Sequence, residues 1–421
     1  MSLFRLLPAL QLFYAQFASA QTSSTSISAS TPTALSNNLL PAALLEPTIS
    51  PNATQISSAP QSITTIVGVS RRTVSISSNA TSTSSFSPQP TNSQPCNGHV
   101  EFCNRRFSNV SMVVAHNSPF AVAHNAASNQ ALPVLTQLND GIRGLQFETH
   151  ILNGTVQLCH TNCNLLNAGS LEAYLELVSG WLADNPYEVI AIMMGNDARV
   201  SPTTYIQPFT AAGMLPYLYH PSVPTANLTQ WPTLSEMILA NKRVVVMLDY
   251  LANQDAVPWL LDEFSYQWQT PFSPTDPSFP CTEQRPPNQP DDVSRDKMYM
   301  VNHNLNIEIS DLIPGVGPML IPAYTLLDAV NAVSGNGSLG VNVEQCTSMW
   351  GRPPNWLLVD YYNYGNFNGS VFQVAAMANN VTYSQDSCCG TVLSNRAHGK
   401  FSQVPVKALF AVFSFLVFLF S

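Results

Sequence analysis

The sequence predicts an α/β fold, a TIM-type (distorted) β/α barrel preceded by a disordered Ser/Thr-rich stalk. Three observations carry this. From Cys96 to about Gly390, continuous apolar runs of strand length alternate with helix-like segments, the pattern of a parallel sheet covered by helices. That span suits one large domain, with two as the alternative. Polar residues with chemical potential gather at the ends of the apolar runs, where barrels of this type keep their active sites. A doubly wound open sheet is the competing architecture, but no G-x-G-x-x-G follows a first strand.

The elements follow in order. "SMVVAH" reads as a strand that stops on His116, Asn117, Ser118 and Pro119. "GLQFETHI" is a second strand. Strand side chains alternate, so Gln146, Glu148 and His150 share one face, and Leu145 and Phe147 take the other. "TVQLCH" is a third strand. "SLEAYLELVSGWLADNP" is a helix, because Leu171, Tyr174, Leu175, Val178 and Leu182 recur at helical spacing. Ser170 caps its start, and Asn185-Pro186 stops it. "EVIAIMM" is a buried strand, "TLSEMILANK" a helix and "RVVVMLDY" another buried strand. "VPWLLDEFSYQW" reads as helical. "KMYMVNHNL" and "NWLLVDYYN" are two further buried strands.

The ends of the chain point to the secretory pathway. Residues 1–20 have an early Arg, an apolar stretch and the small close Ala18-Ser19-Ala20, so the signal peptide ends there and Gln21 begins the mature chain. Residues 21–95 are dominated by Ser, Thr, Ala, Pro and Asn, too apolar-poor to offset ordering entropy; in a secreted chain this is an O-glycosylated stalk. Residues 391–421 run from small residues through a polar spacer to an apolar tail too short to span a bilayer. That order is the pattern of a GPI-anchor signal, with attachment at Asn395 or, alternatively, Ser394. The expected location is the cell surface or cell wall, anchored to the outer leaflet of the plasma membrane.

Sequons stand at Asn52, Asn79, Asn109, Asn153, Asn227, Asn336, Asn368 and Asn380. In this compartment the eight cysteines read as disulfides. Cys96 with Cys103 and Cys159 with Cys163 suit short loops, and Cys281 with Cys346 is a third pairing. The vicinal Cys388 and Cys389 stay open, and connectivity does not follow from sequence. Only 10% of residues are charged and the net charge is −9, which excludes a basic nucleic-acid footprint.

The chemistry sits at strand ends: His116 and Asn117, His160, Asn196 and Asp197, Asp249, Asn302 and His303, and Asp360. Two histidines with a carboxylate point to general acid–base catalysis, in which one imidazole takes a proton and the other gives one. An Asp bonded to one His would fix its tautomer. From the residues alone, His116 stands equally as a core histidine or a base. Serine hydrolysis is disfavoured by the lack of a G-x-S-x-G elbow.

"VVAHNSPF", "LNDGIRGLQFETH", "LCHTNC", "NPYEVIAIMM" and "NWLLVDYYN", in this order, resemble the X-domain of phosphatidylinositol-specific phospholipases C. More closely they resemble fungal secreted PLC-like phosphodiesterases. The resemblance covers roughly Cys96 to Gly390. It implies a distorted TIM barrel and cleavage of a phosphodiester by an adjacent substrate hydroxyl, in a phosphoinositide or a glycerophosphodiester. It also implies that His116 is the general base, His160 the general acid and Asp360 the partner of the base.

The metal set departs from that pattern. The calcium positions of metal-dependent members read Asn117, Gln146, Glu148 and Met194 here. Asn117 and Glu148 are the candidate ligands for a divalent cation (Ca2+ or Mg2+), Gln146 is a weaker donor, and Met194 is none. The arginine that bacterial members place at Glu148 is also missing. Something must still neutralise the phosphate. Candidates for phosphate or substrate contact are Arg143, Gln146 and His303, with Arg199 just beyond a strand end. Glu148 has Arg143 as its alternative, purely structural partner. Two functions compete: an extracellular phosphoric diester hydrolase, and a weak or inactive barrel serving as a GPI-anchored wall or adhesion protein.

Overall fold

In the computed structural model the described residues are 94–222, 226–309, 319–384 and 388–390. The signal peptide, residues 21–93 of the stalk, Asn52, Asn79 and both anchor candidates, Asn395 and Ser394, lie outside them. Twelve strands are present among the described residues: β1 (Met112–Ala115), β2 (Gly144–Leu152), β3 (Thr155–Cys159), β4 (Asn167–Ser170), β5 (Ile190–Asn196) and β6 (Val244–Leu248). Then follow β7 (Leu260–Asp262), β8 (Gln267–Gln269), β9 (Met298–Asn302), β10 (Asn306–Ile309), β11 (Met319–Pro322) and β12 (Trp356–Val359).

Eight of these form one parallel ladder in the order β7-β6-β5-β2-β1-β12-β9-β8. No rung joins β7 to β8; a single helical turn, Glu263–Tyr266, ties the two edges instead. The barrel is therefore a curled parallel sheet with one open seam. β3 and β4 extend β2 as an antiparallel excursion, and β10 pairs with β11 as a separate hairpin.

Two apolar cores explain why strands such as β1, β5 and β6 are apolar on both faces. In β1, Val113 and Ala115 pack outward under the helices, whereas Met112 and Val114 fill the barrel. β5 repeats this, with Ile190, Ile192 and Met194 outward and Ala191 and Met193 inward. Both faces are thus excluded from water, and each buried Val or Leu contributes roughly 1.5–3 kcal/mol. Gly144 opens β2 where a Cβ would come 2.5 Å from Val114 Cγ2, so only glycine admits the close approach of β1 and β2.

The segment "VPWLLDEFSYQW" corrects the sequence expectation: it is β7, one turn and β8, not a helix. Leu260 enters the outer core and its neighbour Leu261 the inner one, which only a strand allows. The helix Leu171–Asp184 stands as expected, capped by Ser170 Oγ accepting from Ala173 N at 3.2 Å. No helix among the described residues is long and apolar enough to cross a membrane.

The N-terminal end of the barrel is sealed. Phe102, Phe107 and Val110 pack with Trp231 and Trp356 in the inner core, and Cys96–Cys103 closes the entering loop. Cys159–Cys163 and Cys281–Cys346 are bonded as expected, and the open question resolves as a Cys388–Cys389 bond. Sequon residues Asn109, Asn153, Asn336, Asn368 and Asn380 are exposed, and Asn227 is half-buried. With its floor plugged among the described residues, the barrel opens at the C-terminal ends of its strands.

Candidate active site

His116 follows β1 directly. Its N–H donates to Val359 O at 3.0 Å, which carries the ladder one rung past the strand. Asn117 then turns into the left-handed region at φ 49°, a conformation Asn tolerates better than most residues. This turn ends the strand and puts both side chains at the mouth. Asp360 arrives the same way, one residue after β12, the parallel neighbour of β1.

His116 Nδ1 lies 2.7 Å from Asp360 Oδ1, and both groups are buried. The carboxylate accepts the Nδ1 proton and leaves Nε2 as the basic nitrogen. Asn129 Nδ2 donates to the same Asp360 oxygen at 2.9 Å. Gln130 Nε2 donates to His116 O at 2.8 Å and Val359 O at 3.1 Å, pinning the two strand ends together. Asn129, Gln130 and Asn304, whose amide comes 3.3 Å from His116 Nδ1, are support groups that sequence reasoning missed. Loop amides carry no periodic signal, and no motif marks them.

His160 sits in the Cys159–Cys163 loop and stacks on Phe120, ring centroids 5.2 Å apart. Its Nδ1 donates to Ala127 O at 2.5 Å, so Nε2 accepts from Asn117 Nδ2 at 3.2 Å. Burial lowers the His160 pKa, the nearby Glu148 pulls it up, and the net is below the ordinary histidine value. The three residues expected to act together, His116, His160 and Asp360, therefore converge, with Asn117 and Asn129 linking them by hydrogen bonds.

Gln146 and Glu148 face the mouth as expected, and Leu145 and Phe147 face the outer core. Gln146 Oε1 accepts from Asn117 N at 2.9 Å. Glu148 does not pair with Arg143. Its Oε2 accepts from Thr161 N at 3.2 Å and lies 3.9 Å from His150 Nε2. Burial pushes the Glu148 pKa up, but His150, His160 and the Thr161 N–H outweigh it and hold the carboxyl below its ordinary value. His150 bridges onward to Asp197 at 3.4 Å.

Two proposed phosphate contacts lie elsewhere. Arg143 precedes β2, at the closed end of the barrel, where Glu188 binds it at 2.7 Å and the carbonyls of Leu138 and Ile142 take its other N–H groups. His303 points away from the mouth because Asn302, its neighbour in the strand, points in: Asn302 Nδ2 donates to Thr270 O at 2.8 Å. His303 is fully buried between Asn342, Val330 O and the Phe279 ring. Burial lowers its pKa to about 4. The unfolded chain then binds a proton the native state refuses, so stability is present above pH 6.5 and drains as pH falls from 6.5 towards 4. At pH 4 the loss from this group reaches roughly 3 kcal/mol. Urea unfolding between pH 7 and 4 measures it; a His303→Gln variant that shows the same slope contradicts the assignment.

The donor set does not fit a resident calcium ion, which takes six to eight oxygens. Asn117 Oδ1 is buried without a hydrogen-bond partner, and Glu148 adds one carboxylate. Gln146 Oε1 is already engaged. On β5 the residues in register with Gln146 and Glu148 are Met193 and Gly195, neither with an oxygen-bearing side chain, while Met194 turns into the outer core. Among the described residues no group of three or more His, Cys, Asp or Glu could hold a metal.

A cavity of about 290 Å³ opens beside Gln146 and Glu148 and is also lined by Asp249, Tyr250, Glu263, Gln269 and Asn302. Two cations reach it: Arg199, already singled out beyond β5, and Arg285, from the long loop after β8, which the sequence reading missed.

A family model described as PI-PLC X matches residues 102–375, well over half of the chain. A protein of Arthroderma benhamiae described as an "uncharacterized secreted protein" is 54% identical, covering 77% of this chain and 73% of its own. The PI-PLC X domain-containing protein 1 of the same organism is 40% identical, covering 64% of this chain and 86% of its own. The phosphatidylinositol-specific phospholipase C of Listeria monocytogenes is 14% identical with a TM-score of 0.41, covering 66% of this chain and 95% of its own.

Proposed function

The chain belongs to the PI-PLC X domain family, and from that premise we propose that it is an extracellular phosphoric diester hydrolase. The observation that carries the reading is the 2.7 Å contact of His116 with Asp360, with His160 held one asparagine away. His116 Nε2 takes the proton of a substrate hydroxyl as its oxygen bonds to phosphorus. The phosphorus–oxygen bond to the leaving group breaks, and His160, protonated at Nε2, gives that oxygen its proton. Asp360 orients His116 and stabilises its imidazolium. The substrate class is a phospholipid-type or glycan-linked phosphodiester. The secretory leader, the stalk and a GPI anchor at Asn395 or Ser394 would present the barrel at the outer leaflet or wall.

A barrel with these groups in register but no turnover would instead be an anchored wall or adhesion protein. The test uses the full chain on inositol-phosphate and glycerophosphodiester substrates. Wild type equal to His116→Ala on every substrate removes the enzyme reading. Because the donor set lacks a calcium cage, EDTA is expected to change the rate less than twofold; a tenfold loss restored by Ca2+ or Mg2+ would reinstate Asn117 and Glu148 as ligands.

A further inference from the structure

We propose that Arg199 and Arg285, both in contact with Tyr250, form a phosphate-oxyanion site in the mouth cavity that supplies the positive charge the missing metal set does not. The inference rests on the phosphodiesterase reading for the identity of the anion, and on the geometry for the site.

Arg199 stands three residues past β5 with its backbone in the left-handed region at φ 50°. A non-glycine residue there carries a conformational cost. Its guanidinium lies 3.7 Å from the centre of the Tyr250 ring. No ion pair is formed by Arg199 among the described residues. Arg285 comes from a loop far off in sequence and meets the same ring at 5.7 Å, with Phe264 and Phe272 at 5.0 and 4.7 Å. Its Nη2 donates to Tyr250 Oη at 3.0 Å and meets Asp249 at 3.4 Å; its Nη1 meets Gln269 Oε1 at 3.4 Å. These last two contacts are long, so the guanidinium is seated on aromatic faces rather than locked in a tight carboxylate fork.

On this wall the two guanidiniums stand beside the carboxyl groups of Asp249 and Glu263. Burial pushes both Asp249 and Glu263 upward, and the arginines pull them only partly back. Glu263 is buried and takes the amide N–H groups of Gln267 and Gln269. Across the cavity, Glu148 and Asp197 hold His150 between them. The two arginines therefore face a space that also touches Gln146, whose amide oxygen is bonded to Asn117 beside the histidine pair. An arginine fork binds an oxyanion bidentately, which a single lysine cannot do.

The probe is inorganic phosphate, titrated into the full chain while Tm is followed, with chloride at matched ionic strength as the control. Phosphate is expected to raise Tm where chloride does not. Arg285→Gln should weaken that binding at least tenfold and Arg199→Gln several-fold. Asp249→Asn removes the competing carboxylate and should tighten it several-fold, although it removes an ion pair; a purely structural Arg285–Asp249 pair would lower Tm and leave phosphate binding unchanged. If Arg285→Gln does not fold, the other two variants carry the test. No phosphate-specific shift in wild type, or an unchanged shift in both arginine variants, overturns the site. Rates on a diester with no other phosphate, against one whose head group carries a phosphomonoester, tell the reacting phosphate from a second one. A protein active on diesters whose phosphate shift ignores both arginines overturns this site and leaves the enzyme reading intact. An arginine-dependent shift in a protein inert on every diester does the reverse.

Discussion

Replacing His116 with Ala is expected to lower kcat/KM on a phosphodiester by roughly 10²–10⁴-fold, the range a positioned general base contributes. Asp360→Asn should lose a comparable factor, because an amide at 2.7 Å no longer requires a proton on Nδ1 and lets the imidazole present the wrong tautomer. The two losses should not add, since both act on one nitrogen. The pH profile separates His160 from His116. A general acid must be protonated, and burial holds His160 below the ordinary 6.5. The rate should therefore fall as pH rises, with this alkaline limb centred below 6.5, and His160→Ala should erase it. A limb centred above 7 would remove His160 from the acid role.

The second large effect concerns stability. Cys281–Cys346 spans 65 residues and joins the loop after β8 to the helix Leu339–Trp350. Constraint of the unfolded chain by a loop of this length is worth about 4 kcal/mol. Trp350 Nε1 donates to Cys281 O at 2.8 Å, so the same junction is packed as well as bonded. Calorimetry of the Cys281→Ser, Cys346→Ser double variant should show Tm lower by roughly 5–10 °C. The Cys159–Cys163 pair closes only four residues and should cost about half as much, yet reduce activity more, because it holds the His160 loop. A fall under 2 °C in the Cys281/Cys346 variant would show that the bridge does not constrain the unfolded chain.

These experiments also separate what one-dimensional pattern carries from what it cannot. β1, β5, β6, β9 and β12 were legible because two cores, inside and outside the sheet, demand apolar residues at nearly every strand position, and β2 because its apolar and polar residues alternate. Residues 257–268 misled because their apolar spacing suits a helix as well as a broken strand. Pairing of Leu260 with Val246 and of Trp268 with Tyr299 decided the matter. Likewise Met194 sits at the family's ligand position in order along the chain, but alternation turns it outward and leaves Met193 and Gly195 facing the mouth.

By itself the sequence determined the parallel α/β class and the identity of His116, His160, Asp360, Gln146 and Glu148 as mouth residues. Local order suffices for His116, Asp360, Gln146 and Glu148, since each closely follows or lies within a strand of the parallel sheet; His160 follows the antiparallel β3, and the Cys159–Cys163 loop carries it back to the mouth. Only the tertiary structure decided which cations reach the site. Arg143 is adjacent to β2 in sequence yet lies at the sealed end with Glu188, while Arg285, with no strand near enough to mark it, folds back over Tyr250. A charge acts through distance in space, and loop closure between β8 and β9 sets that distance independently of any residue pattern along the chain.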